Sequence, residues 1–544
     1  MTAKTLAQHI ATRRQRTEIK GTSQTVKARK DQVINSAGGA VFTVSKWDQL
    51  MRFLILGSEG GTYYASERKL TVDNAKNVIA CIKEDGMGTV DMIAEVSREG
   101  RAPKNDPALL ALSLCVNPEY ADADTRGYAM AVLPEVARIG THLFHFAEFV
   151  NSQRGWGRHL REGIANWYTR QDETQLANQA LKYQQRDGWS HRDLIRLAHP
   201  RPDTAVKSNL FRYIVKGAES IKAGELMPQL VIAFEQAKTA DKRTLVKLIT
   251  DYGLTREMIP TEALNDRDVW AALLERMPMT AMVRNLGKMT SIGLLTPGSE
   301  ATTKVVNSVT DGTILRKARV HPFTILVALN QYSQGKGMKG SLTWKSVPQI
   351  EGALDEAFYQ AFGNIEASGK RTLLSLDVSG SMHGSYLCNS MISCAQGALA
   401  MAMVTMRTEP AGSWKLMGFG SPHYQELTML NPTMRLEAAV KAIYGLNFGS
   451  TDCSLPMVYA LKNRIPVDTF AVYTDNETYA GRVHPFEAMK QYRQQMGIDA
   501  KLVVVGMTAT NFTIADPKDK GMLDVVGFDT ATPDVIAGFS SGNF

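Results

Sequence analysis

The feature that most constrains this chain is a change of hydrophobic period near residue 350. From about 46 to 350, apolar residues recur at helical spacing in stretches such as WDQLMRFLIL, VDNAKNVIACIKEDG, PALLALSLCV, KRTLVKLITDYG and DVWAALLERM. Gly, Pro, Asp or Asn bound most of these stretches, as residues that stop or cap helices do. Many short helices in series predict stacked helix pairs, an all-α solenoid or superhelix. After KGMKGSLTWKSVPQ, which reads as a linker or loop, come the apolar runs RTLLSLD, SWKLMGFG, DTFAVYTD and AKLVVVG, with helical stretches between them. Alternating strand and helix predicts an α/β doubly wound domain around a parallel sheet. Since 544 residues exceed one core, the chain is expected to be multidomain: a basic N-terminal arm over 1–45, a helical domain over 46–360 and the α/β domain over 361–544.

Charge divides the same way. Residues 1–360 carry 48 Lys and Arg against 38 Asp and Glu, while residues 361–544 carry 14 against 16, so a polyanion is expected to meet the first part. On charge alone, a merely solvated basic surface is the favoured reading. Five scattered cysteines without a CxxC argue for free thiols in a reducing compartment. The N-terminus has no signal-peptide core and no segment is apolar for long enough to cross a membrane, so a soluble, cytoplasmic protein is expected.

In α/β sheets, ligands bind beyond the carboxyl ends of the strands. There the chain places DVSGSM, with Asp377, Ser379 and Ser381, then Thr451 in FGSTDCSLP and Asp475 in VYTDNETYAG. A DxSxS followed in order by a loop Thr and a strand-end Asp resembles the metal-ion-dependent adhesion site of von Willebrand factor A domains. The chemistry suits Mg²⁺ or another divalent cation, because Mg²⁺ takes octahedral oxygen ligands and keeps waters that an outside carboxylate can replace. An Asx-type turn capping a helix is the plainer reading of DxSxS alone. Other motifs lead nowhere. Ser379 stands where a haloacid-type phosphatase needs a second Asp, GNIEASGKR has the wrong spacing for a phosphate loop, and GSEGGTYY lacks a strand–helix context. His142 and His145 have no third ligand nearby, which favours packing or a surface hydrogen bond.

Residues 182–202, KYQQRDGWSHRDLIRLAHPRP, interleave Lys182, Arg186, His191, Arg192, Arg196 and His199 with Tyr183 and Trp189. Cations for phosphates and flat rings for bases are what RNA recognition needs. By composition alone, a solvated helix face over core aromatics explains them better. The surrounding motifs decide otherwise. LGSEGGTYY, GWSHRDLIRLAHP, RNLGKMT, ARVHPFTILVAL, TDNETYAG and FTIADPKDKGMLDVVGFDT, in this order from about 45 to 540, resemble the Ro ribonucleoprotein autoantigen family of TROVE-domain proteins.

The resemblance implies a ring of HEAT-like helical repeats plus a von Willebrand factor A-like domain, without enzymatic activity. It implies a Y RNA-like small noncoding RNA on a basic outer surface and misfolded RNAs with single-stranded 3′ ends in a central hole. An exoribonuclease is a further expected partner. GWSHRD places His191 and Arg192 on the RNA-contacting face, which Lys182, Arg186 and Arg196 share by proximity. Arg284 and Lys288 in RNLGKM and Arg319 in ARVHPF are expected along the RNA path near the hole. Gly380 and Ser450 depart from the family's usual residues, at positions that are not metal ligands. A competing expectation is an adaptor whose metal site grips an acidic residue of a protein partner. A metal-dependent hydrolase fits poorly, since Ser and Thr ligands activate water weakly.

Overall fold

A computed structural model describes residues 19–57, 66–153, 155–337, 341–363, 365–443, 446 and 449–543. Most of the GSEGGTYY motif and residues 1–18 of the expected arm lie outside them. The described residues up to Asn77 form one compact unit with those from Phe362 onward, and Val78–Ala361 form the other.

The N-terminal segment is the main correction to the expected boundaries. Strands β1 (Gln32–Ile34) and β2 (Ala40–Thr43) form a hairpin, and Val41 joins a buried core with Leu373, Phe470 and Leu502 of the C-terminal part. Helix Lys46–Leu56, expected in the helical domain, also belongs here. Its Arg52, 1% exposed, pairs with Asp524 at 2.5 Å and donates to the carbonyls of Thr510 and Phe512. Polar composition suggested an arm, but AVFT is a buried strand whose core lies more than 300 residues away.

The unit Val78–Ala361 is helical. Helix Gly86–Glu99 packs on Ala123–Val136, which packs on Arg158–Thr169, which in turn packs on His191–Ala198. Each helix thus meets its next or next-but-one neighbour, the local contact pattern of stacked helix pairs. One hairpin interrupts the series, β3 (Gln185–Arg186) against β4 (Trp189–Ser190). Its Asp187-Gly188 turn has both φ angles positive, at 53° and 79°, as a two-residue hairpin requires.

The C-terminal part holds β5 (Thr372–Asp377), β6 (Trp414–Glu426), β7 (Gly449–Ser450), β8 (Thr469–Thr474), β9 (Lys501–Gly506), β10 (Phe512–Thr513) and β11 (Met522–Val526). The sheet order is β11-β9-β8-β5-β6-β7, all parallel except for β7 against β6; β10 instead pairs antiparallel with β2. Strands β5 and β8 are buried along their whole length, as parallel strands covered on both faces must be. Helix Cys394–Thr408 covers them on one side, and Leu455–Lys462 with Pro485–Met496 builds the core with Leu373, Phe470 and Tyr492. The chain leaves β5 toward β6 and later returns to β8 on the other side. That reversal opens a crevice at the carboxyl ends of β5 and β8.

Candidate metal centre and nucleic-acid interface

Asp377 ends β5, and Asp475 follows β8 directly, so the sheet itself sets the two carboxylates side by side. Both are fully buried. Asp377 Oδ1 accepts from the Ser379 amide at 3.0 Å and Oδ2 from the Thr474 hydroxyl at 2.8 Å. The Ser379 and Ser381 hydroxyls lie 3.1 Å apart, and Ser381 also bonds to Asp475. Burial drives both carboxyls above their ordinary range, and for Asp377 the neighbouring Asp475 adds to the rise. Glu477, two residues on, is pushed up to about 8 by burial and by Asp475.

Thr451 is tied to the same loops through its backbone. Its carbonyl accepts from the amides of Tyr479 and Ala480 at 3.1 and 3.0 Å, while its hydroxyl makes no hydrogen bond among the described residues. The expected five therefore gather on three neighbouring loops, four of them linked through side chains. Asp475 Oδ2 is buried without a hydrogen-bond partner. Two buried acids with no basic side chain paired to them among the described residues, beside hydroxyls that add ligands but no charge, make a donor set suited to a hard divalent cation. His383 stands apart from this chemistry and bonds through Nε2 to the Leu446 carbonyl.

The sequence reading missed the scaffold that holds this loop. The Asn35 amide donates to the carbonyls of Asn476 and Thr478, and the Ala37 amide donates to Glu477. TDNETYAG contained Asn476 and Glu477, but nothing local announces a partner 440 residues upstream.

The basic stretch divides into two populations. Helix His191–Ala198 starts with a capping box, in which Ser190 accepts from the Asp193 amide and Asp193 accepts from the Ser190 amide. His191, Leu194, Ile195 and Ala198 form its buried face. His191 is 2% exposed, 2.8 Å through Nδ1 from the Tyr168 hydroxyl, and packed on Phe144 and Trp167. Burial lowers its pKa to about 4. The expectation that His191 contacts RNA is therefore corrected: it is a neutral core residue. Arg192 and Arg196 face solvent one turn apart and make no ion pair among the described residues. Arg186 is exposed on β3, 3.7 Å from Asp187, and Lys182 is half-buried over the Tyr183 ring. Trp189 is half-buried too, bonded to Glu148 and packed against Trp156.

Farther along, Arg284 is exposed, whereas Lys288 donates to Asn265 at 2.8 Å. Arg319 is exposed in the left-handed cap of helix Gly312–Ala318. His142 is half-buried near the Asn105 amide and pushed down to about 3, by burial and then by Arg138, while His145 pairs with Asp187. Neither belongs to a metal cluster among the described residues.

Comparison with known proteins draws these parts together. Residues 371–540 match the Ro60 vWA domain, and residues 33–252 and 236–331 match the TROVE domain. The chain belongs to the Ro60 family. It is 42% identical over 524 residues to the RNA-binding protein RO60 of Deinococcus radiodurans, covering 95% of this chain and 97% of that one. It is 37% identical over 599 residues to the RNA-binding protein RO60 of Caenorhabditis elegans, covering 95% and 91%. The crystal structure of the Deinococcus radiodurans RO (RSR) protein superposes with a TM-score of 0.69 at 40% identity, covering 92% of this chain and all of that one. Both curated Ro60 relatives are named as RNA-binding proteins. Among the described residues of this Ro60-family chain, no helix is long and apolar enough to cross a membrane.

Proposed function

We propose that this protein binds RNA as the core of a ribonucleoprotein. A Y RNA-like small RNA meets the basic surface around Arg186, Arg192 and Arg196, and the single-stranded 3′ ends of misfolded noncoding RNAs enter a hole through the TROVE domain. In this reading the protein takes part in RNA quality control, with an exoribonuclease as a partner, in the cytoplasm. The observation that carries it is the Arg192–Arg196 face: two guanidiniums one helical turn apart, exposed and unpaired among the described residues, on a capped helix anchored by a buried His. Guanidiniums free of carboxylates are available to phosphates, and Arg suits them through bidentate bonding.

Sequencing the RNA that copurifies with the protein tests this directly. Small structured RNAs are expected to be enriched. Binding should weaken steeply with salt as counterions are released, and it should require a free 3′ end for single-stranded targets. Closed circular RNA binding as well as linear RNA would contradict threading.

A second reading concerns the metal centre. Asp377, Ser379, Ser381, Thr451 and Asp475 hold Mg²⁺ or a similar cation, which supplies a Lewis-acidic position for an acidic side chain of a partner protein. The unpartnered buried Asp475 Oδ2 favours it. An EDTA-sensitive protein that copurifies independently of RNase is its expected signature.

A further inference from the structure

A small open cavity lies within the helical unit among residues to which the proposed RNA surface and the candidate metal centre assign no joint role. Lys182, Thr255, Arg256, Glu257, Arg276 and Asn285 line it. Four stretches of chain bring them together. Lys182 ends helix Glu173–Lys182, Thr255 to Glu257 follow helix Lys242–Tyr252, Arg276 caps helix Arg267–Glu275, and Asn285 lies in helix Met279–Ser291.

Three cations face one carboxylate, a formal surplus of two positive charges. Three helices end here, and their carbonyl ends, with about half a negative charge each, offset part of this surplus. Among the described residues, none of these three cationic side chains donates a hydrogen bond or forms an ion pair within the protein, and Lys182 has only the face of Tyr183. Arg276 Nη1 lies 3.6 Å from where a Cβ would stand on Gly253, so it is held over the turn without capping it. The Thr255 hydroxyl is buried and has no partner either. Arg256 and Arg276 are exposed and Lys182 is half-buried, so three cations without a protein partner stand at the mouth of the cavity, where an anion can join them.

We infer that this cavity is a binding site for a phosphate monoester. A phosphodiester carries one charge and two free oxygens, whereas a monoester at neutral pH carries nearly two charges and three acceptor oxygens. The donors of Lys182, Thr255, Arg256, Arg276 and Asn285 match the three oxygens of the second. Such a group comes from two sources, a terminal phosphate of single-stranded RNA or a free mononucleotide. The first rests on the RNA-binding reading; the second does not.

The test uses the full-length protein with AMP, inorganic phosphate and adenosine in calorimetry. In parallel, short single-stranded RNAs ending in phosphate or in hydroxyl are compared by fluorescence anisotropy. RNA with a terminal phosphate should bind about tenfold more tightly than its hydroxyl counterpart, the effect of one or two charge-assisted hydrogen bonds. The double variant R256A/R276A alters two exposed side chains, so its folding should match the parent's in a thermal melt. It should lose this preference while still binding the hydroxyl-ended RNA. If AMP binds, adenosine does not, and the RNA ends make no difference, the site stands with a mononucleotide as its ligand. Equal affinity for both RNA ends, with no binding of AMP or phosphate, overturns the pocket and leaves RNA binding intact. Failure of the parent to bind any RNA overturns the RNA reading, and the AMP arm still decides the pocket.

Discussion

The side-chain amide of Gln24 donates to Asp452 Oδ1 at 2.8 Å, joining residues 428 positions apart. The same nitrogen donates to the Val483 carbonyl, and Gln24 Oε1 accepts from the Thr478 hydroxyl and the Gly481 amide. One buried Gln therefore bridges the loop that bears Thr451 and the loop that follows Asp475. With Asn35 and Ala37 it makes the N-terminal segment part of the wall behind the candidate metal centre.

Substitutions in that segment should destabilise the von Willebrand A-like unit. In Gly39→Ala the new Cβ would stand 1.7 Å from the Thr478 carbonyl oxygen, so backbone must shift. A cost of about 1–3 kcal/mol is expected, as for other overpacked sites. Gln24→Ala leaves buried polar partners unsatisfied and should cost about 1–3 kcal/mol as well. Thermal melts of the full chain check both, with the exposed Ser23→Ala as an unaffected control. Melting unchanged by Gly39→Ala would mean that the segment does not pack as described.

Metal should stabilise the parent, and Asp475→Asn should abolish that gain. A cation at one hundred times its dissociation constant adds about 2.7 kcal/mol to the folded state. Without metal, two buried carboxylates oppose each other, so the neutral amide should leave the EDTA-treated protein at least as stable as the parent. Melting temperatures with Mg²⁺ and with EDTA measure both effects. An undiminished Mg²⁺ shift in the variant would remove Asp475 from the ligand set.

Arg192→Glu with Arg196→Glu should weaken structured RNA without lowering the melting temperature, because both side chains are exposed. Each lost phosphate contact should reduce the slope of log affinity against log salt by about one unit. Single-stranded RNA should lose less. Equal losses for both ligands would argue against two separable RNA surfaces.

His191 gives a pH dependence whose sign follows from burial. Its pKa falls from 6.5 to about 4 in the fold, so the unfolded chain binds the proton more readily. Its contribution is fully present above pH 6.5, declines as pH falls, and is lost below about 4; over that window it amounts to about 3 kcal/mol. His191→Gln cannot titrate, so the difference in melting temperature between parent and variant should narrow from pH 7 to pH 4. A constant difference would show that the imidazole is not held neutral.

Much of this was legible in the chain itself. The switch of hydrophobic period separated a helical part from an α/β part, because side chains that alternate with period 3.6 or run continuously apolar can bury only on matching surfaces. The Asp377-x-Ser379-x-Ser381 turn at a strand end was legible too, since it needs one loop and one strand. Even the burial of His191 was written in the spacing 191, 194, 195, 198, the inner face of a helix, although a neighbourhood rich in Arg obscured it.

What only the tertiary structure decided were relations between distant segments. Strand β2 reads as a short apolar run in a polar stretch, and its pairing with β10 joins Phe42 to Thr513. The Lys182–Arg256–Arg276 cavity joins the ends of three helices, none of which is remarkable alone. Local sequence determines backbone period and which face turns inward. Which faces meet depends on packing summed over the whole chain, and that is where the N-terminal segment came to pack behind Asp377 and Asp475 and the cavity of Lys182, Arg256 and Arg276 took shape.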